Sequence, residues 1–266
     1  MAKASDRKLA RTGQDTEEIT LESVLGRVDV KERFKEMLGR RAPAFMSSII
    51  SAVHLNPDLR ECEPMSIVSS AAVAASLDLP INPNLSFAHI VPYSGMATFQ
   101  MGWRGFVQLG LRTEKYKSLH AGIVYDGELK SYNHITGEIE FDLKGRKIID
   151  KKTGQKTDKV IGYVAYLKLL SGFEKYLYMT TDEVMKHALK YSKLFSSKGK
   201  GQWKTDFNAM ALKTVLKMLL GKYGIMTIEM ERAIISDEAT IGRDGMPEYI
   251  DGKIVEQSGK PEVDEP

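Results

Sequence analysis

The hydrophobic pattern of this sequence changes its period twice, and that change limits the fold more than any other feature. Between residues 27 and 60 apolar side chains recur at helical spacing, in two runs separated by Pro43. Pro64 opens a third helix of small residues. Strand-like alternation follows until Thr180, which has the spacing of a helix capping box with Glu183. Helical blocks on both sides of a run of strands predict an α+β fold.

The central strands are expected to form hairpins, so the predicted core is an antiparallel sheet flanked by helices. "SFAHIVPYSGMATFQM" predicts a hairpin that turns at its "SG" pair. "KSLHAGIVYDGELKSY" predicts a second strand pair that turns at "DG". One short helix, "WRGFVQLGLRTE", lies between these hairpins, and further strands are predicted in "EIEFDL", "VIGYVAYLKLL" and "FEKYLYMT".

Charge is distributed unevenly along the C-terminal half of the chain. From Lys186 to Lys222 there are nine lysines and one acid, Asp206, whereas residues 229–266 contain eleven acids and four bases. A basic segment beside an acidic one is typical of proteins that handle polyanions. The alternative is a pair of solvated surfaces of opposite sign.

Composition also predicts where the folded core begins and ends. Residues 1–23 are interpreted as a flexible polar tail and residues 24–238 as one folded core, to which the family resemblance described below assigns DNA binding, annealing and self-assembly. Residues 239–266 are acidic and poor in large apolar side chains, so they are predicted to be a largely disordered tail.

Several kinds of chemistry lack their sequence signatures. There is no Walker pattern and no G-x-G-x-x-G after a strand, so no nucleotide cradle is expected. Cys62 is the only cysteine, and the five histidines show no paired metal-ligand spacing. We therefore predict a protein that is not an enzyme and has no catalytic or metal-binding residues. No apolar run is long enough for a membrane span and no secretory signal is present, which favours a cytoplasmic protein.

The segment "WKTDFNAMALKTVLKMLLGKYG" predicts a mostly buried helix with a narrow polar stripe. On a helical wheel its leucines share one broad arc, and Lys213 and Lys217 lie opposite with Asp206 and Met210. We predict that both lysines line a DNA groove while the leucines hold the helix against the core. Lysines that extend into plain solvent are the alternative.

Neighbouring segments add further cations and two aromatic side chains. Lys186 and Lys190 share one face of the preceding helix, and the following loop adds Lys198 and Lys200. A row of lysines suits the closely spaced phosphates of DNA. Aromatic residues near basic ones could stack on bases, as in proteins that hold single strands without reading their sequence. The alternative for Trp103 and Trp203 is that each one anchors the start of a helix in the core.

Two separated blocks of the sequence resemble the RecT family of phage-type single-strand DNA annealing proteins, or recombinases. The first block, residues 74–128, contains "AASLDLP", "IVPY", "GWRG" and "LRTEKY" in the family's order. The second block is "WKTDFNAMALKTVLKMLLGKYG". The resemblance extends over about residues 60–235. Asn84 and Leu85 stand where relatives often have a glycine-containing turn, and Thr113-Glu114 stands where many have Ser-Gly.

The resemblance implies a protein that coats single-stranded DNA and anneals it to a complementary strand without ATP, in homologous recombination. It also implies a β-rich core, assembly into rings or helical filaments, and a C-terminal region that meets a phage exonuclease or the host single-strand-binding protein. The expected location is the cytoplasm of a bacterial host, with the chain encoded by a phage or prophage. Mg²⁺ is expected only as a modulator of annealing. A passive single-strand-binding protein remains the alternative.

Charge and position nominate the residues of the DNA site, which is expected to hold a single strand and the annealed duplex. Trp103 and Tyr116 are the candidates for base or sugar contact. The candidates for phosphate contact are the basic residues of the two blocks and of the span between them: Arg104, Arg112, Lys115, Lys186, Lys190, Lys198, Lys200, Lys213 and Lys217.

Overall fold

A computed structural model describes residues 19–146, 158–192, 195–196, 199, 201–237, 239–241 and 247–249, the last two ranges by their backbone alone. A 3₁₀ turn, Gly39–Arg41, joins the second and third helices. The helices are α1 (Leu21–Gly26), α2 (Val28–Leu38), α3 (Ala42–Leu55), α4 (Pro57–Arg60), α5 (Pro64–Ser76), α6 (Trp103–Arg112), α7 (Thr181–Tyr191), α8 (Gln202–Thr205), α9 (Phe207–Tyr223) and α10 (Ile228–Ser236).

The strands form three antiparallel sheets, which confirms the predicted α+β class. The first sheet has the order β1-β2-β8-β9, the second β3-β6-β7, and the third is the β4–β5 hairpin. The strands are β1 (Ala88–Tyr93), β2 (Met96–Met101), β3 (Tyr116–Tyr125), β4 (Leu129–Tyr132), β5 (Ile139–Phe141), β6 (Val160–Leu169), β7 (Glu174–Thr180), β8 (Ala239–Ile241) and β9 (Pro247–Tyr249).

Local signals in the sequence predicted the first hairpin and the start of α7 correctly. Ser94 and Gly95 both have positive φ, +49° and +80°, at the turn between β1 and β2. At α7 the Thr180 hydroxyl accepts from the Glu183 N–H (3.2 Å), and the Glu183 carboxylate accepts from the Thr180 N–H (2.8 Å). The capping box is therefore formed in both directions.

The predicted pairing of β3 with β4 is wrong. β3 pairs with β6, with Ala121 opposite Ala165, and β4 pairs with β5, with Tyr132 opposite Ile139. A long-range partner thus replaces the nearest strand. The "DG" turn still reverses the chain, but it passes the chain from one sheet to another.

Helix α9 lies across the inner faces of β3, β6 and β7 and also packs against α6. Val215, Leu216 and Leu219 are fully buried in the core at this crossing. The arc of apolar residues predicted for this helix is therefore its core-facing side. Because α9 carries the sequence block with Lys213 and Lys217, the packing of its leucines fixes where those lysines lie.

The edge of β2 that faces away from β1 is closed by three different groups. At Ala97 the N–H donates to the Ser66 hydroxyl (2.8 Å), while the Ser70 hydroxyl donates to the carbonyl (2.9 Å). At Phe99 the partner is β8, through Ala239. At the end of the strand, the carboxylate of Asp237, the residue that follows α10, accepts from the Met101 N–H. Segments distant in sequence thus satisfy successive backbone groups of one strand.

Regular structure crosses both predicted tail boundaries. The N-terminal tail was expected to end at residue 23, but the Thr20 hydroxyl already caps α1, which begins at Leu21. The C-terminal tail was expected to begin at residue 239, but β8 and β9 follow that position and join the first sheet. The composition of the segment did not reveal this because backbone pairing with β2 holds it. Residues 1–18 and 250–266 lie outside the described part of the chain.

The turn after α6 holds a glutamate in a conformation that favours glycine. Glu114 has a φ of +56° and an exposed side chain. Glu114→Gly is therefore expected to raise the free energy of unfolding by about 0.5–1 kcal/mol, measured by urea titration. In the other turn where relatives often have glycine, the left-handed residue is Ser86 (φ +54°), rather than Asn84 or Leu85.

The matched control for this substitution is Glu32→Gly, the same change at an exposed position inside α2. It should lower the free energy of unfolding by about 1 kcal/mol, because glycine is a poor helix former. A loss of stability in both variants would show that the positive φ of Glu114 carries no strain.

Candidate nucleic-acid interface

A cleft of about 220 Å³ lies between the first hairpin, the start of α6 and the start of α9. Its wall is mixed in character, with aromatic, basic, acidic and amide side chains together. The lining residues are Ser86, His89, Gln100, Met101, Gly102, Trp103, Arg104, Gln202, Asp206, Ala209, Met210 and Lys213. The two sequence blocks that resemble the RecT family therefore meet in one cleft.

Two glycines let α6 begin directly against the chain that precedes β1. The Gly102 N–H donates to the Phe87 carbonyl (3.0 Å). A Cβ on Gly102 would lie 2.0 Å from the Ser86 carbonyl oxygen, and one on Gly105 would lie 2.2 Å from the Phe87 carbonyl oxygen. Since backbone atoms cannot move aside easily, the "GWRG" motif is required by this close approach. It places the first two helical side chains at the cleft.

Those two side chains are Trp103 and Arg104. The Arg104 guanidinium carbon lies 5.5 Å from the centre of the Trp103 ring, which is a cation–π distance. Trp103 is half-buried against the core and Arg104 is exposed. The core-anchor alternative is therefore partly true of Trp103, yet its ring also lines the cleft. An aromatic face beside an exposed guanidinium can hold a base and its phosphate together.

His89 and Gln100 also line the cleft, and the sequence interpretation missed both. They are direct neighbours on the hairpin, because His89 pairs with Gln100 in the β1–β2 register. Burial lowers the pKa of His89, and the charge of Lys213 lowers it further. His89 therefore remains a neutral hydrogen-bonding group near pH 7. Strand alternation was the signal that could have indicated a shared face.

The polar stripe predicted for α9 is not open to solvent at Lys213, which contradicts the alternative of a lysine in plain solvent, whereas its contact with DNA stays a prediction. The Lys213 side chain is 5% exposed, and its Nζ atom lies 2.8 Å from Oδ1 of Asp237. Lys217 is about one-third exposed, and its Nζ atom lies 2.7 Å from Oδ2 of the same carboxylate. The residue after α10 thus covers the predicted stripe. A helical wheel cannot reveal this because it shows one helix without its neighbours.

Asp237 is fully buried and shared by three donors. Its Oδ1 accepts from the Met101 N–H (2.9 Å), which closes the end of β2. Burial alone would raise the pKa of Asp237, but the charges and hydrogen bonds of Lys213 and Lys217 outweigh it and hold the pKa below its ordinary value. The carboxylate is therefore ionised at neutral pH. We call Lys213, Lys217 and Asp237 the buried ion cluster.

The residues predicted at the far end of α6 have structural contacts instead. The Arg112 guanidinium donates to the carbonyls of Leu77 and Asp78 (both 2.7 Å), which lie just after α5. Tyr116 is 7% exposed, and its hydroxyl accepts from the Ile225 N–H (2.7 Å). Tyr116 is therefore a core residue in this structure, and its contact with a base or sugar stays a prediction.

Lys115 is exposed at the turn after α6, but it lies eleven positions after Arg104 in the sequence. The helix alone covers about 12 Å between Arg104 and Arg112, at 1.5 Å per residue. The structure thus divides the predicted cations of the first block into two groups. Only Arg104 lies at the cleft.

Two predicted cations are on α7, which packs against α8 beside the cleft. Lys186 and Lys190 are exposed, and Lys190 Nζ lies 5.0 Å from the Tyr191 ring centre. α8 connects this face to the cleft, because Gln202 lines the cleft while Trp203 packs against His187 of α7 (6.5 Å between ring centres). Trp203 itself is 8% exposed, which agrees with the core-anchor alternative. Lys198 and Lys200 lie outside the described residues.

Within the described ranges, no cluster of three or more His, Cys, Asp or Glu side chains could hold a metal ion. The same part of the chain contains no helix with the length and apolar character needed to cross a bilayer. The site is thus an aromatic and basic cleft that continues onto a lysine-bearing helix. Those are the features of a surface that binds a nucleic acid through stacking and phosphate contacts.

Comparison with known proteins identifies the class. The RecT family pattern matches residues 43–250. The chain is 44% identical to the uncharacterized protein YqaK of Bacillus subtilis (strain 168) over 250 residues, which cover 93% of this chain and 83% of YqaK. It is 27% identical to protein RecT of Escherichia coli (strain K12) over 227 residues, which cover 81% of this chain and 79% of that protein. The chain therefore belongs to the RecT family of single-strand DNA annealing proteins, and its connection is with recombination.

Proposed function

We propose that this protein anneals complementary single strands of DNA without nucleotide hydrolysis. The observation that carries the proposal is the cleft at the start of α6, where exposed Arg104 lies over half-buried Trp103 within the family-matched region. The exposed lysines of α7 extend this surface and supply further phosphate contacts. Bases of the bound strand stay accessible to a partner strand if the protein holds mainly the backbone.

The reaction needs no fuel because pairing is favourable by itself. Base stacking in duplex DNA supplies roughly 1.4 kcal/mol per base-pair step. The protein's task is to reduce the repulsion between two phosphate backbones and to hold one strand in an extended form. The sequence contains no Walker pattern, which agrees with this mechanism. In this proposal the protein is not an enzyme and has no resident cofactor, and Mg²⁺ acts only by screening phosphates.

The wider assembly is also a proposal. Coating of a long strand requires many copies of the chain, so we propose a homo-oligomer in the form of a ring or a helical filament. We further propose that residues beyond β9 meet a phage exonuclease or the host single-strand-binding protein in the bacterial cytoplasm. Electron micrographs with and without single-stranded DNA would test the assembly.

Annealing is expected to be accelerated in the absence of ATP. The measurement adds a labelled oligonucleotide to the protein, then its complement, and follows duplex formation with time against a protein-free control. Strict dependence on ATP hydrolysis would contradict the proposal. Binding of the first strand without faster pairing would instead identify a passive single-strand-binding protein. Arg104→Gln should slow pairing, whereas Arg40→Gln, an exposed arginine in the turn before α3, supplies a matched control.

A further inference from the structure

Three hydrogen-bonding side chains of the cleft have no hydrogen-bond partner in the described part of the chain. They are the His89 imidazole, the Gln100 amide and the indole N–H of Trp103, and each residue is partly exposed. The only fully buried side-chain nitrogen or oxygen that lacks a partner in the described ranges is Nε of Arg146. The polar atoms of the three cleft residues are therefore open to a molecule that enters the cleft, and a ligand would satisfy them.

The polar groups of this set both donate and accept hydrogen bonds. An amide side chain has two donors and an acceptor, and a neutral imidazole has one of each. His89 stays neutral near pH 7 because burial lowers its pKa. A phosphate diester offers only acceptors, so it would leave the Gln100 oxygen and the bare His89 nitrogen unpaired. The edges of nucleobases offer donors beside acceptors and therefore match these two side chains better.

The rest of the cleft wall suits a flat ring. Trp103 contributes its aromatic side chain, and Met101 and Met210 contribute thioethers. His89 and Gln100 lie opposite each other in the β1–β2 register, so their side chains leave the hairpin on one face. At about 220 Å³ the cleft is smaller than pockets for drug-sized ligands, which are about 300–1,000 Å³. Its size therefore suits one base and not a longer stretch of the strand.

We propose that the cleft is a pocket for one nucleobase, which leaves the stack of the bound strand, lies against Trp103 and is hydrogen-bonded along its edge by His89 and Gln100. This inference rests on the proposed function and assigns the base of one nucleotide to named residues. The cost of unstacking is smallest for a strand that is already single. Because every base has donors and acceptors along its edges, the pocket binds without reading the sequence. The other bases stay outside the cleft and accessible for pairing.

The test compares the binding of two oligonucleotides of equal length by the full chain. One is an oligothymidylate, and the other is an abasic chain with the same number of phosphates. The wild type should bind the oligothymidylate about 5–150-fold more tightly, which is the range for stacking of one base on an aromatic ring. Gln100→Leu removes the donor and acceptor of the amide and keeps a side chain that suits a strand. It should reduce the ratio of the two affinities by about 2–12-fold, the net effect of one hydrogen bond.

Gln108→Leu is the matched control, because it makes the same change at a partly exposed position of α6 that does not line the cleft. Its ratio of affinities should equal that of the wild type. His89→Phe keeps an aromatic ring but loses both ring nitrogens. It should therefore reduce the ratio in the same direction as Gln100→Leu.

Each outcome decides the inference. An unchanged ratio in Gln100→Leu would overturn it, even if both oligonucleotides bound more weakly, since Gln100 would then contact no base. Equal binding of the two oligonucleotides by the wild type would overturn it as well. If Gln100→Leu does not fold by thermal melting, His89→Phe decides the question by the same ratio. Failure of the wild-type chain to bind either oligonucleotide would refute the proposed function instead, so the two failures are distinguishable.

Discussion

Asp237→Ala is expected to lower the free energy of unfolding by about 3–5 kcal/mol, because it removes a buried carboxylate that forms ion pairs with Lys213 and Lys217. It also removes the acceptor for the Met101 N–H at the end of β2. Chemical denaturation monitored by circular dichroism measures the change. The native side chain is fully buried, so water cannot replace the lost carboxylate without opening the structure.

Asp206→Ala is the matched control because it makes the same change from aspartate to alanine at an exposed position instead of a buried one. Asp206 is exposed and caps α9, where its Oδ1 atom accepts from the Ala209 N–H (3.0 Å). Loss of such a cap costs about 1 kcal/mol. An equal effect of the two substitutions would show that the buried ion cluster contributes no more than an exposed cap.

The pH dependence of the Asp237 effect has a definite sign. The folded-state pKa of Asp237 lies below its value in the unfolded chain, so the unfolded state binds the proton first on acidification. The stabilisation is fully present above the unfolded value of about 4 and is lost as the pH falls through the lower, folded value. The difference between wild type and Asp237→Ala should therefore be constant near neutral pH and shrink below about pH 4.

Gly105→Ala is expected to lower the free energy of unfolding by about 2–3 kcal/mol. The new Cβ would lie 2.2 Å from the Phe87 carbonyl oxygen and 3.0 Å from the Met101 Cε atom. The higher helix propensity of alanine offsets only about 1 kcal/mol of this strain. Since α6 must move to relieve the contact, Trp103 and Arg104 move with it. Oligonucleotide binding should fall along with the melting temperature.

Gly221→Ala makes the same change in α9, where no atom beyond the neighbouring residues and the backbone of the helix itself lies within 4 Å of the new Cβ. This variant should gain about 1 kcal/mol from helix propensity. Opposite signs at the two glycines would separate steric exclusion from propensity. A Gly105→Ala protein that melts like the wild type would show that α6 can withdraw from residue 87 freely.

The parts of the fold that were predictable from sequence depend on short stretches of chain. The β1–β2 turn, the Pro64 helix start and the Thr180 capping box each involve residues within a few positions of one another. The β3–β6 pairing depends instead on strands separated by the whole β4–β5 hairpin. The spacing of residues in the sequence does not indicate a strand partner so far away. The prediction therefore paired β3 with the nearest strand, β4, and that pairing is wrong.

In the candidate site, too, only features that depend on neighbouring residues could be predicted from the sequence. Trp103 and Arg104 could be identified because a glycine–aromatic–basic–glycine motif carries both. The buried state of Lys213 could not, because it depends on Asp237, twenty-four positions later, and on the position of β2. Tyr116 resembled a binding aromatic beside two lysines, but a backbone group at Ile225 engages its hydroxyl. In each case the deciding partner is remote in sequence.

The closure of β2 by remote groups also fixes an order of events during synthesis. Met101 and Asp237 are 136 positions apart, and β8 begins two positions after Asp237. A chain emerging from the ribosome at about 5–20 residues per second therefore exposes β2 with an open edge for roughly 7–27 s before its last partners exist. Only over the last 24 positions of that interval is Lys213 present without Asp237, one of its ion-pair partners. A nascent chain would thus be more exposed to non-native strand pairing and stray polyanions than the finished one, and it would mature only when its final quarter had emerged.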